Sequence, residues 1–269
     1  SAPSNPIDAF VRARLEQEGL SPSPPASPEA LVRRLAFDLT GLPPSVEDIE
    51  AFAADPSDAA YQRLIDRYLA SPAYGERMAM DWLDLARYAD TYGYQADVER
   101  DMSPYRDWVI SAFNRNLPYD QFLTWQLAGD LLPNASREQR IATAFNRLHR
   151  QTNEGGSIEE EFRTEYVVDR VNTFGTSMLG LTLECARCHD HRFDPITQRD
   201  YYSLFAFFNN IDESGLYSHF TSATPSPSML LWTPEREQDH KRLAAEMRAI
   251  ETGLEQLRRQ GRTAFTARS

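Results

Sequence analysis

"SIEEEFRTEYVVDRVNTFGTSMLGLTLECARCH", Ser157 to His189, is the stretch on which the fold turns. Ile158, Phe162, Val171, Phe174, Met178 and Leu181 fall along one stripe at helical spacing. Ser157 with Glu160 has the form of a capping box, and Gly155-Gly156 breaks the chain just before it. The spacing predicts a helix that begins at Ser157 and delivers the chain to Cys185. Beyond the cysteines, "TQRDYYSLFAFFNNI" from Thr197 is dense enough in aromatics to be a core helix.

The same logic extends upstream. Asn5-Pro6 opens a first helix with Ile7, Phe10, Val11 and Leu15 on one face, and Gly19 ends it. "SPSPPASP" is a stiff linker, after which Ser27-Pro28 starts a helix through Leu31, Leu35 and Leu39 to Gly41. Ser45, Ser57, Ser71 and Ser103 repeat the capping pattern, with Pro72 and Pro104 following two of them. Further helices are expected near 58–70, 72–90, 104–116, 118–129 and 137–148. No alternating run is long enough for a strand, beyond a scrap near 228–232. The expected class is all-α.

The tail differs in character. Residues 212–233, rich in Ser, Thr and Pro, read as a long loop. Leu243, Met247, Ile250, Leu254 and Leu257 then follow at heptad spacing in an otherwise charged helix. The seam covers about two heptads, short for an independent coiled coil. An amphipathic helix packed on its own or a neighbouring domain is the plainer reading. The expected division is therefore 1–233, a helical domain, and 234–269, an amphipathic helix or linker.

Composition sets outer bounds. The 269 residues are 41% hydrophobic and 25% charged, ordinary for a globular protein. The net charge of −12 and a pI near 4.9 repel phosphate backbones, so nucleic acid is not an expected partner. Lys241 is the single lysine among 28 basic residues, and the rest are arginine. No apolar run approaches the roughly 20 residues that span a bilayer, so no membrane contact is expected from this fragment. The chain opens on Ser1 and reads as an excised or processed piece from which an export signal could have been removed.

Both cysteines of the chain, Cys185 and Cys188, lie in Cys-x-x-Cys-His with His189. That is the attachment signature of c-type haem. Two thiols must reach two vinyl groups of one porphyrin, and a two-residue turn presents both. The adjacent imidazole then offers a proximal nitrogen to the iron. A redox or structural disulfide competes, as does a zinc site completed by His189 and His191, although ligands crowded into seven residues rarely close a tetrahedron. The expected cofactor is one covalent haem c on Cys185 and Cys188, with the helices packed around it. Arg150, Arg170, Arg187 and Arg192 surround the motif in sequence, and arginine forks match haem propionates. Arg170 and Arg192 are the candidate cofactor partners.

"GLTLECARCHDHRFDPIT" followed by "DYYSLFAFFNN", with "NRLHRQTNEGGSIEEEFRTEYVVDRVNTFGT" upstream, resembles the planctomycete-type cytochrome c domain. The likeness runs from about Asn5 to Asn210 and is specific over 145–210. That family is of unknown function and occurs in large exported proteins, often followed by a second uncharacterised domain. The resemblance implies a haem-bearing, periplasmic or otherwise exported, multidomain parent. It supplies no reaction.

For the sixth iron ligand, His149 is the first candidate. It precedes the Gly-Gly break, stands 36 residues before Cys185, and matches the family's "NRLHRQTNEGG" segment. Met229 and His219 in the downstream loop, Met178 on the apolar stripe, and an open position are the alternatives. His191 is better placed to hydrogen-bond near a ligand than to reach the far face. Glu159, Glu160 and Glu161 have an ordinary explanation at a helix N-terminus, and Glu154 in the Gly-Gly turn is the more suggestive carboxylate.

Electron transfer with a redox partner or an adjacent domain of the parent is the leading expectation. A haem oxidoreductase acting on a small oxidant or a carbohydrate-related substrate is the rival. It is kept alive by a motif that begins only at position 185, when one haem needs about 100 residues of domain. A docking module braced by haem is the third reading.

Overall fold

The computed structural model describes residues 5–94, 97–217 and 226–266, with side chains described to 260. Among the described residues the fold is all-helical, with no sheet and a single isolated bridge between Thr91 and Glu99. The chain divides into two compact units, Ser1–Thr221 and Ser222–Ser269.

The first unit is built on three apolar clusters. Helices α1 (Pro6–Gln17), α2 (Pro28–Thr40), α3 (Val46–Ala54) and α4 (Asp58–Leu69) come first. Asn5, Ser27, Ser45 and Ser57 cap them with side-chain oxygens, as the sequence predicts. Val32, Ala36, Phe52, Leu64 and Tyr68 close α2–α4 on one another. Helix α1 buries nothing, and Ile7, Phe10 and Val11 stay exposed, against the expected packed face.

Helices α5 (Pro72–Leu85), α6 (Ser103–Asn114), α7 (Tyr119–Ala128) and α8 (Arg137–Ala142) surround a second cluster of Trp82, Tyr105, Trp108, Phe122 and Phe145. Three boundaries differ from expectation. Helix α5 stops at Leu85 rather than 90, because Arg87 turns the chain with φ of 62°. Helix α6 starts at Ser103 itself, with Met102 as an uncapped N-cap. Beyond Ala142 the expected helix tightens into a 3-10 turn, Thr143–Arg147.

The third cluster places the motif. Helix α9 (Glu159–Phe174) and helix α10 (Gln198–Phe208) pack through Val167, Val171, Tyr201 and Phe208. The predicted Ser157–Glu160 capping box does not form: Ile158 is the N-cap without a side-chain bond, and Glu160 binds Arg163 instead. Nor does α9 run to Cys185. It ends in a π turn, Gly175–Leu179, capped by Gly180 at φ of 65°. A Cβ on Gly175 would stand 2.6 Å from Leu183 Cγ, so a larger residue there would have to displace the Leu183 side chain. Helix α10 opens with a Thr197–Asp200 capping box that the sequence reading did not single out.

In the second unit, residues 228–232 form no strand. Helix α11 (Pro234–Thr266) carries the heptad seam as expected, and all five seam residues are exposed.

Candidate functional site

Leu183 and Ala186 decide how the cysteine turn sits. Both are buried in the α9/α10 cluster, so the short 3-10 turn Glu184–Arg187 is anchored by its apolar residues. Cys185 between them, and Cys188 and His189 just beyond, are all exposed, with both thiols unpaired. Backbone bonds close the turn: Ala186 N donates to Leu183 O at 2.9 Å, and Cys188 N and His189 N both donate to Cys185 O at 3.3 Å.

Two helices clamp it from behind. The Arg187 guanidinium grips Glu165 of α9 with both Nη groups. The Arg187 carbonyl accepts from Gln198 Nε2 and from the Tyr202 hydroxyl of α10, each at 3.1 Å. Asp190 Oδ1 accepts from Gln198 N at 2.8 Å. A loop held at this many points keeps its spacing without a bond between its two thiols.

The tautomer of His189 follows from one contact. Nδ1 lies 2.8 Å from the Asp190 carbonyl, which can only accept, so Nδ1 carries the proton. Among the described residues Nε2 has no hydrogen-bond partner, and the ring is exposed. His191 is the reverse case. Its Nδ1 accepts from Asp194 N at 2.9 Å and Phe193 N at 3.3 Å, so it pins the 191–196 loop and has no bond to His189. Because Nδ1 accepts there, the 3.3 Å approach of Asp194 Oδ2 is not an ion pair with a protonated ring. The same loop exposes Arg192 and Phe193, the latter 86% accessible, with the Arg192 guanidinium 5.6 Å from the Phe193 ring centre. Among the described residues no group of three or more His, Cys, Asp or Glu side chains is gathered as for a bare metal ion.

Arg170 and His149 meet elsewhere, in a buried polar cluster. Arg170 donates Nε to Asn146 O at 2.7 Å, Nη2 to His149 Nε2 at 2.8 Å, and pairs through Nη1 with Glu213. His149 donates Nδ1 to the Arg150 carbonyl at 2.9 Å and stacks on Tyr166, ring centres 4.5 Å apart. Both imidazole nitrogens are thereby engaged, and burial pushes the group down to about 4, so the ring is neutral. With Nε2 accepting from Arg170, the 3.4 Å approach to Glu213 Oε2 is contact, not a donated bond. Glu213 also pairs with Arg147. Burial pushes its carboxyl up, but the bond and charge of the Arg170 guanidinium override that and hold it at about 2. The neutral ring leaves Arg147 and Arg170 as the charged partners.

Arg100 completes the cluster as a cap. Its two Nη groups reach the carbonyls of Arg147, Leu148 and His149 at 2.9–3.1 Å, the last acceptors of the 3-10 turn. Tyr166 joins the far side, accepting from Thr152 N and donating to Gly215 O, both at 2.8 Å.

The sequence-selected residues thus fall into two places. Cys185, Cys188, His189 and Arg192 share one exposed turn and loop. Arg170 and His149 share the buried cluster, where both imidazole nitrogens are bonded and the guanidinium is held by Asn146, His149 and Glu213. Met178 packs against the α5–α8 core, Met229 lies exposed before α11, and His219 is outside the described residues. Glu154 is exposed, and Glu159 accepts from Ser214 Oγ at 2.7 Å. Sequence reasoning missed Glu213, which sits in a stretch read as loop; only an acidic residue among small polar ones marks it.

No helix among the described residues is long and apolar enough to cross a membrane. Comparison with curated proteins and with solved structures gives no match. One family model covers residues 6–213, from the start of α1 to Glu213. On that match the chain belongs to PSCyt2, a planctomycete cytochrome-like family described as "Protein of unknown function (DUF1549)".

Proposed function

We propose that this chain is a mono-haem c-type cytochrome domain working in electron transfer. Cys185 and Cys188 would hold the porphyrin as thioethers and His189 would be the proximal ligand. The observation that carries the reading is the shared outward presentation of two free thiols and an imidazole whose Nδ1 is tied to a backbone carbonyl. A ligating histidine ordinarily has its other nitrogen bound in this way, which fixes the ring and raises its basicity. When bound, the group supplies a one-electron iron couple.

The residues of the chain do the rest. Asp190 orients the His189 ring. Glu165, Gln198 and Tyr202 hold Arg187 and so fix the thiol spacing. Phe193 and Tyr202 offer apolar surface beside the turn, and Arg192 is the free guanidinium on that loop for a propionate. Arg170 is spent on Glu213, Asn146 and His149, so the propionate role moves to Arg192.

Mass spectrometry of protein made in cells with c-type maturation tests this. Denatured chain should exceed its polypeptide mass by one haem; Cys185→Ala with Cys188→Ala should abolish the increment. A bare polypeptide mass overturns the proposal.

The engaged ring of His149 favours a second reading, an oxidoreductase with an open sixth position. Carbon monoxide binding by the reduced protein separates the two. An immediate spectral shift supports the enzyme, and a low-spin spectrum unmoved by the gas supports electron transfer.

A further inference from the structure

Helix α11 leaves its seam bare: Leu243, Met247, Ile250, Leu254 and Leu257 are 49–65% exposed. Charged side chains beside the seam are already paired with others behind it. Lys241 binds Glu237 at 2.8 Å, and Arg242 binds Asp239 and Glu246 at 3.1 and 3.2 Å. Thr233 accepts from Arg236 N at its start, and Trp232 stacks on His240, the seam position one turn before Leu243, at 5.3 Å. A capped helix with braced charges and a bare apolar stripe is built to receive another helix.

The flanking charges select which one. In a parallel pair of identical helices, Glu246 of each copy would face Glu251 of the other, a like-charge contact made twice. Turned antiparallel with Met247 opposite Ile250, Leu243 meets Leu254 and His240 meets Leu257. The flanking contacts then become Glu237 with Arg258, twice, with Glu251 opposite Ala244 and Glu246 opposite Gly253. Shifting that register by one heptad either way brings glutamates face to face again, at Glu251 with itself, or at Glu246 with itself and Glu237 with Glu251. One arrangement alone joins the apolar layers without opposing carboxylates.

We propose that α11 pairs with α11 of a second copy of this chain, as an antiparallel two-helix coiled coil centred between Met247 and Ile250. Two heptads bury little area, so the pairing is weak and concentration-dependent. It brings two copies together by a helix separate from the cysteine turn in sequence and unit.

Sedimentation equilibrium of the full chain, in reducing buffer so that Cys185 and Cys188 form no cross-link, tests it. Wild type should pass from monomer to dimer as concentration rises. Arg258→Glu and Glu237→Arg should each weaken dimerisation about ten-fold, and the double exchange should restore it, since the pairs are remade in reverse. Ile250→Asp should abolish the dimer, while circular dichroism checks that helix content is kept. Monomer at every concentration, as expected if a following helix of a longer chain covers the seam instead, overturns the proposal. So does a dimer indifferent to the charge exchanges, because only the antiparallel register places those residues together.

Discussion

Glu213 shows how much one side chain can hold. Its carboxylate lies between Arg147 and Arg170 with 1% of the side chain exposed, and those arginines reach on to Asn146, His149 and the turn that Arg100 caps. Removing one partner of a buried ion cluster leaves uncompensated charge, typically about 3–5 kcal/mol. Glu213→Gln, nearly the same shape, should therefore lower the urea midpoint by an amount worth about 3–5 kcal/mol with the m-value unchanged. Glu165→Gln breaks a half-exposed pair with Arg187 and should lower stability by under about 1 kcal/mol. The contrast explains what was legible. The cysteine motif is written in nearly consecutive residues. A buried ion pair joins residues 147, 170 and 213, and nothing local marks its members. The arginine bias acquires a physical use here: Arg170 bonds Asn146 O and His149 Nε2 and pairs with the Glu213 carboxylate, a spread that a lysine ammonium at that depth could not span.

At the scale of elements, two glycines in helical segments separate packing from propensity. Gly175 opens the π turn that swings the chain from α9 toward the cysteines, and a Cβ there would meet Leu183 Cγ at 2.6 Å and Leu181 O at 3.0 Å. Gly175→Ala should cost about 1–3 kcal/mol by overpacking and loosen the turn that presents the thiols, seen as faster thiol alkylation in protein made without haem. Gly253 has nothing within 4 Å, so Gly253→Ala should raise helix stability by up to about 1 kcal/mol, measured by thermal circular dichroism. The starts at Asn5-Pro6 and Ser27-Pro28 were readable, because a cap is a contact between residues three apart; at Ser103-Pro104 the expected cap does not form, and Met102 is the N-cap. The end of α9 was not, because the close approach of Leu183 to Gly175 ends it and apolar periodicity runs on through the bend. The Ser157–Glu160 box failed for a similar reason: Arg163 takes the Glu160 carboxylate with two bonds.

Across the whole molecule, acid should act through the buried cluster before it acts on the surface. His149 is held at about 4 against an ordinary 6.5, so between those values the unfolded chain binds the extra proton. Stability is complete above pH 6.5 and falls as pH drops toward 4. Glu213, held at about 2 against 4.5, adds a second loss from pH 4.5 downward. Each contributes on the order of a few kcal/mol, more than half-exposed pairs such as Arg187–Glu165 supply. Thermal midpoints at pH 7.5, 6, 5 and 4 should therefore decline first in the histidine window. His149→Gln removes the titrating group and should flatten the decline between pH 6.5 and 4 while leaving the steeper fall below 4.5. An unchanged slope in that variant would mean that the acid response comes from surface carboxylates. The same variant would report on the proposed iron site. A ring buried for structure can be replaced without moving the visible spectrum, whereas loss of an iron ligand would turn the spectrum high-spin.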